Sequence, residues 1–192
     1  MVKIGFLVEG DTEKKIIRSQ MFNEFLASNN LEAIPTLFPA KGNMGKDVFK
    51  NSQKLNSLID ILKEKGAKHI FVIRDLEDLE CIVLARNEIN SDSVQKIIVE
   101  KTMESWFLAD SEALQKVFSS EKVSIEFPEK VENPFKHLKQ ISLEKNNRGI
   151  GDKLIFAARM LNNGFSIENA ANHPNCDSAK YFIKKLKSLS NQ

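Results

Sequence analysis

Two cysteines, one tryptophan, one tyrosine and three histidines are all that 192 residues offer of several chemistry-bearing types. Cys81 and Cys176 stand alone, without metal-ligand spacing, and two isolated cysteines read as reduced thiols. His69, His137 and His173 are scattered, and no Ser-His-Asp or Cys-His frame surrounds them. No apolar run approaches the roughly 18 residues that a membrane span needs. The first apolar run is short and passes directly into acids, unlike a signal peptide. A cytoplasmic protein without membrane contact is expected. Repeats, low-complexity tracts and a Rossmann glycine fingerprint are also missing.

What remains is ordinary globular usage, with 42% apolar and 28% charged residues and thirteen Phe for a ring-packed core. The length suits one sizeable core, or one domain with a helical extension. Net charge is only +2. It divides unevenly, because residues 1–110 hold 15 Lys/Arg and 17 Asp/Glu, whereas residues 111–192 hold 13 and 9. An acidic half beside a basic half fits a nucleic-acid enzyme, and equally fits ordinary solvated faces.

The informative stretch is residues 3–13. Ile4 to Val8 reads as a buried parallel strand, and Glu9-Gly10 follows it at once. Asp11-Thr12-Glu13 then opens a helix, with acids at the positive end of its dipole. Residues 69–78 repeat the plan: Ile70 to Ile73 forms a strand, and Asp75, Glu77 and Asp78 crowd its carboxyl end. Ligands of open α/β sheets bind at that edge. Acids brought together there repel unless a hard cation holds them, and magnesium uses one or two carboxylates plus waters and phosphate oxygens.

Apolar spacing predicts an amphipathic helix over Thr12–Ser28, a strand over Ala33–Phe38 and a helix over Val48–Lys65. A third helix over Leu79–Asn90 and a fourth strand over Lys96–Val99 follow. Pro35 marks the second strand as an edge or a strand start. This alternation predicts an α/β fold: a four-stranded, mainly parallel sheet with helices on both faces, followed by a helical C-terminal extension. For Glu9 and Asp75 to meet, the first and third strands must be neighbours, with the second outside the first. The α/β part is expected over 1–118 and the extension over 119–192, packed as one unit.

Pro39 to Lys46 contains a Gly-Lys pair, but Ala40 and Asp47 break the P-loop pattern. Lys41 or Lys46 pointing toward a phosphate, or a plain solvated connector, are the open readings. Glu104 is either a ligand beside the metal or a helix-dipole acid; Asp110 reads as a cap for Ser111–Phe118. In the C-terminal part, helices are expected from Asn133-Pro134 to about Leu143, over Asp152–Leu161 and over Asp177–Leu189. The last carries Lys180, Lys184, Lys185 and Lys187. Arg148, Lys153, Lys180 and Lys184 are candidate phosphate contacts, and the helix dipole alone also explains the terminal lysines.

Val8-Glu9-Gly10-Asp11-Thr12-Glu13, Arg74-Asp75-Leu76-Glu77 and Glu104-Ser105-Trp106-Phe107-Leu108-Ala109-Asp110 together resemble the TOPRIM domain. They resemble most a small bacterial TOPRIM-related group of unknown function, akin to the domains of OLD-type nucleases. Two departures stand out. Glu77 occupies the place of the second Asp, with Asp78 as a substitute, and the third box has one extra residue before its Asp. The resemblance implies Mg²⁺, or Mn²⁺, held by Glu9, Asp75, Glu77, Asp78 and Glu104, with Glu9, Asp75 and Glu77 as the catalytic set. Glu9 would be a base or a water-mediated ligand. Arg74 would join the nucleic-acid contacts.

Tyr181, the lone tyrosine, sits in the basic last helix and does not look like a topoisomerase nucleophile, and a primase needs further domains. A nuclease for DNA or RNA is the implied activity, in bacterial defence or repair, with an ATPase partner protein. A non-catalytic binding module with a degenerate site is the alternative reading. A small-molecule phosphatase or nucleotidyl-transfer enzyme is a third.

Overall fold

In a computed structural model the described residues are 1–40, 45–77, 79–120 and 123–190, with Lys46 described by its backbone alone. The apolar runs form β1 (Val2–Val8), β2 (Leu31–Phe38), β3 (His69–Asp75) and β4 (Gln95–Val99). All pairings are parallel, in the order β2-β1-β3-β4. β1 and β3 are neighbours with β2 outside β1, as the acid placement required. Pro35 lies in the edge strand, where the β1–β2 register shifts between Ile4 and Phe6. The missing N–H therefore falls where the ladder is already interrupted.

Two helices were expected where the chain makes four. Thr12–Ser28 divides into α1 (Asp11–Ile17) and α2 (Gln20–Ser28). Ser19 is extended and its hydroxyl accepts from the Phe22 N–H at 3.3 Å, capping a new helix within an unbroken apolar period. Val48–Lys65 divides in the same way into α3 (Lys46–Lys50) and α4 (Ser52–Glu64). Here Asn51 caps the second piece by accepting from the Lys54 N–H at 3.0 Å. The helix expected over Leu79–Asn90 is shorter, α5 (Ile82–Asn87).

The sheet separates two cores. On one face Leu7, Ile70, Val72 and Ile98 pack with Leu55, Ile59 and Leu62 of α4. Gly5 permits this approach, since a Cβ there would lie 3.1 Å from Leu62 and 3.2 Å from Ala67. On the other face Ile4, Phe6, Val8, Phe71 and Ile73 meet α1, α2 and the later helices. Those are α6 (Glu104–Ala109), α7 (Ser111–Phe118), α8 (Pro134–Asn146), α9 (Lys153–Asn162), α10 (Ile167–Asn172) and α11 (Asp177–Lys187). The expected boundary near 118 is not a break in packing, because Leu138, Phe156 and Phe182 belong to the same core as β1.

Phe182 of α11 joins this core together, with its ring 5.7 to 6.4 Å from those of Phe6, Phe22, Phe71 and Trp106. The α11 N-terminus is fixed by buried Glu129, which accepts from the Asp177 N–H at 2.8 Å and the Ser178 N–H at 3.0 Å. The carboxylate satisfies orphan donors at the positive end of the helix. Phe182→Ala is therefore expected to lower stability by about 3–5 kcal/mol. Urea unfolding followed by circular dichroism should show one transition; a separate early transition for the C-terminal helices would contradict the shared core.

Candidate active site

The β1–β3 ladder runs from Ile4–His69 to Val8–Ile73, so both acid loops leave the sheet level with each other. The pleat then sorts the side chains. Glu9 comes level with Arg74, and Asp75, one residue on, turns to the opposite face. Arg74 Nε lies 3.5 Å from Glu9 Oε1, and its Nη1 donates to Glu88 Oε2 at 2.8 Å and to the Ala85 carbonyl. The arginine side chain is fully buried by these neighbours, so the expected nucleic-acid contact at Arg74 is corrected. It is a buried cation between two glutamates, and its Nη2 has no hydrogen-bond partner.

Asp75 lies only 8% exposed on the other side of the sheet edge, and its Oδ1 has no hydrogen-bond partner. Burial holds its carboxyl well above the usual range, and the charges of Glu13, Glu104 and Glu9 add to the rise, against Lys153. Burial likewise raises Glu13, with Glu104 adding to it. Hydrogen bonds from the backbone of Glu13 and Gly10, together with Lys153, oppose that rise. Glu104, at the start of α6, is 1% exposed. Its Oε2 accepts from Thr102 Oγ1 at 2.6 Å and from Lys153 Nζ at 3.0 Å.

A pocket of about 270 Å³ opens beside Asp75, which lies beneath its lining; Glu9, Glu13, Glu77, Glu104 and Lys153 are among the residues that line it. Glu77 reaches it from a left-handed backbone position (φ 51°), its N–H donating to the Lys101 carbonyl at 2.7 Å. That bond extends the β3–β4 pairing past Asp75 and sets the rim. Lys153 was read as a phosphate contact; it stands inside the acid pocket, half-exposed, at the first turn of α9. Asp78 and Lys41 lie outside the described residues, as does the side chain of Lys46.

The remaining basic candidates stand elsewhere. Lys180 binds Asp177 at 3.2 Å and the Pro174 carbonyl, and Lys184 is exposed on α11. Neither lines the pocket. Arg148 borders a separate cavity with Arg159 and Asn146. Glu13 was missed as a site residue because the third helical position is also where a dipole-stabilising acid belongs. Its position four residues after Glu9, within the same turn, was the available signal.

Among the described residues no group of three or more Asp, Glu, His or Cys side chains is placed to hold a metal ion. A site that relies on waters and substrate oxygens needs none. A buried carboxylate with an unpartnered oxygen, beside two other carboxylates, fits a hard divalent cation of that kind.

A family model matches residues 8–187, from the residue before Glu9 to the end of α11. The chain belongs to the DUF4276 family, a domain of unknown function. No curated protein and no solved structure matches it. The matched span takes in both acid loops, Glu104, Lys153 and the C-terminal helices, so the DUF4276 unit contains the whole pocket.

Two outcomes follow for the DUF4276 chain. A carboxyl with a raised folded-state pKa adds stability at low pH that is lost as pH rises from its unfolded value, about 3.9 for Asp, through the folded one. Asp75→Asn should thus melt higher than the parent near pH ~7, with the gap closing toward pH ~4. A gap independent of pH would show that Asp75 is not perturbed. Arg74→Ala, which removes a fully buried cation from between Glu9 and Glu88 and leaves Glu88 to Lys50, should cost about 3 kcal/mol in urea unfolding. A loss below about 1 kcal/mol would contradict its structural role.

Proposed function

We propose that this DUF4276 protein is a divalent-cation-dependent phosphoryl-transfer enzyme acting on nucleic acid, a nuclease with a TOPRIM-like site. The observation that carries the proposal is Asp75, a buried carboxylate with an unpartnered oxygen among Glu13, Glu104 and Glu9. Asp75, Glu13 and Glu104 around one lysine, with the Arg74-paired Glu9 beside them, are self-repelling, and a cation offsets that repulsion. Asp75 would hold Mg²⁺ or Mn²⁺ directly, with Glu104, Glu13 and Glu9 reaching it through water. Bound there, the ion supplies Lewis-acid polarisation of a phosphoryl oxygen and a more acidic water.

The side chains divide the remaining work. Glu9, oriented by Arg74 at 3.5 Å, suits the role of a base that takes a proton from the attacking water. Thr102 and Lys153 fix the Glu104 carboxylate. The half-exposed Lys153 ammonium is also available to a phosphate oxygen entering the pocket, where it would offset developing charge. Glu77 on the rim would contact cation-bound water. A cytoplasmic location, expected from the sequence, and an ATPase partner, implied by the resemblance, belong to this same proposal.

Labelled DNA and RNA incubated with the protein in Mg²⁺, Mn²⁺ or EDTA test the reading. Cleavage should need the cation and fall about 100-fold or more in Glu9→Gln, and similarly in Asp75→Asn. Either cation should raise the melting temperature of the parent but not of Asp75→Asn. No cleavage together with cation-insensitive melting would overturn the proposal, and metal-independent nucleic-acid binding would then favour a binding module. Competition by nucleotides against cleavage would favour the small-molecule reading.

A further inference from the structure

Apart from the acid pocket, a groove of about 1150 Å³ runs between α1–α2 and α9. It adjoins the acid pocket at Asp11, which lines both. Its volume exceeds the roughly 300–1,000 Å³ of a typical small-molecule site. The extent suits a length of chain rather than a compact ligand.

The two walls differ. α1 and its C-terminal cap supply Lys14, Lys15 and Arg18, whereas α9 supplies the uncharged Leu154, Ala158, Leu161 and Asn162. Lys14 is buried and paired with Asp11. Lys15 and Arg18 have no carboxylate partner among the described residues, and they share one face of α1 at i, i+3 spacing. Glu24 is the other acid of the groove, and it accepts from Gln20 Nε2 at 2.7 Å. Leu154 is 39% exposed and Met21 is likewise 39% exposed, although both are apolar.

We propose that this groove carries a single nucleic-acid strand toward the acid pocket, with Lys15 and Arg18 on its phosphates and the Leu154–Ala158–Leu161 wall against its sugars and bases. The inference rests on the phosphoryl-transfer reading, which it deepens by naming the track that feeds the site. Cationic side chains along one edge and an apolar wall along the other match the two sides of an unpaired strand. An acidic amphipathic helix from a partner protein would match the charge too. It would not explain why the basic edge leads to a pocket of buried carboxylates. Neither Lys15 nor Arg18 was among the candidate phosphate contacts of the sequence.

Binding of a fluorescein-labelled single-stranded oligonucleotide, measured by anisotropy in EDTA on the Asp75→Asn background, separates binding from turnover. Lys15→Glu/Arg18→Glu should weaken affinity roughly 10-fold or more, and should flatten the slope of log affinity against log salt by about one to two. Ala158→Trp, which fills the groove from the opposite wall without changing charge, should weaken binding as well. Lys63→Glu/Lys65→Glu, at the far end of α4, serves as the charge-matched control and should stay within about twofold. Melting temperatures identify any variant that fails to fold, and the groove is then judged on the other one.

Parental affinity in both groove variants would overturn the inference. The wider reading would survive that result if the parent still cleaves nucleic acid with Mg²⁺. A parent that neither binds nor cleaves any oligonucleotide would sink both. A poly-glutamate peptide that binds the parent where the oligonucleotide does not would assign the groove to a protein partner, and would overturn the strand track.

Discussion

Five parallel backbone pairs between β1 and β3, Ile4–His69 through Val8–Ile73, hold the two acid loops at one height. Everything at the site follows from that register. Parallel pairing sends both strands out of the sheet at the same edge, and α1 then returns Glu13 over it. β4 extends the arrangement, because the Val99 carbonyl accepts from the Leu76 N–H at 2.8 Å and so ties the loop after β3 to the loop that leads into α6. A slip of one residue would exchange Arg74 and Asp75 between faces.

The sheet edge consequently separates two electrostatic environments. On one face a buried arginine is matched by Glu9 and Glu88 and stays structural. On the other, Asp75, Glu13 and Glu104 share one lysine, contributed by α9 from the other end of the chain. Such an excess of buried carboxylate costs stability in the folded state. Proteins tend to concentrate such costs where chemistry occurs, and perturbed carboxylates in a cleft are a physical pointer to function.

The sheet and its strand order were readable from short apolar runs, each followed at once by acids. Interruptions were harder to see. Ser19 and Asn51 restart helices through single side-chain caps, and neither disturbs the apolar period that defined the longer helices. At the site, Glu9 and Asp75 were visible as strand-end acids, but sequence spacing does not say which face each one takes. That depends on the pleat, and it divided what looked like one cluster into an arginine-paired acid and a buried group. Lys153 could not be assigned from local pattern at all, because Glu104, which it meets, lies 49 positions earlier in the chain. The short α10, Ile167–Asn172, carries too few turns to show a period.

The lone indole has one further consequence. Trp106 is fully buried, donates its Nε1–H to Ser178 Oγ at 2.7 Å and stacks 5.8 Å from Phe182. It sits on the same short helix as Glu104, while both of its partners belong to α11. Its emission is therefore a built-in optical gauge, reporting from two residues beyond a pocket carboxylate whether the final helix is seated.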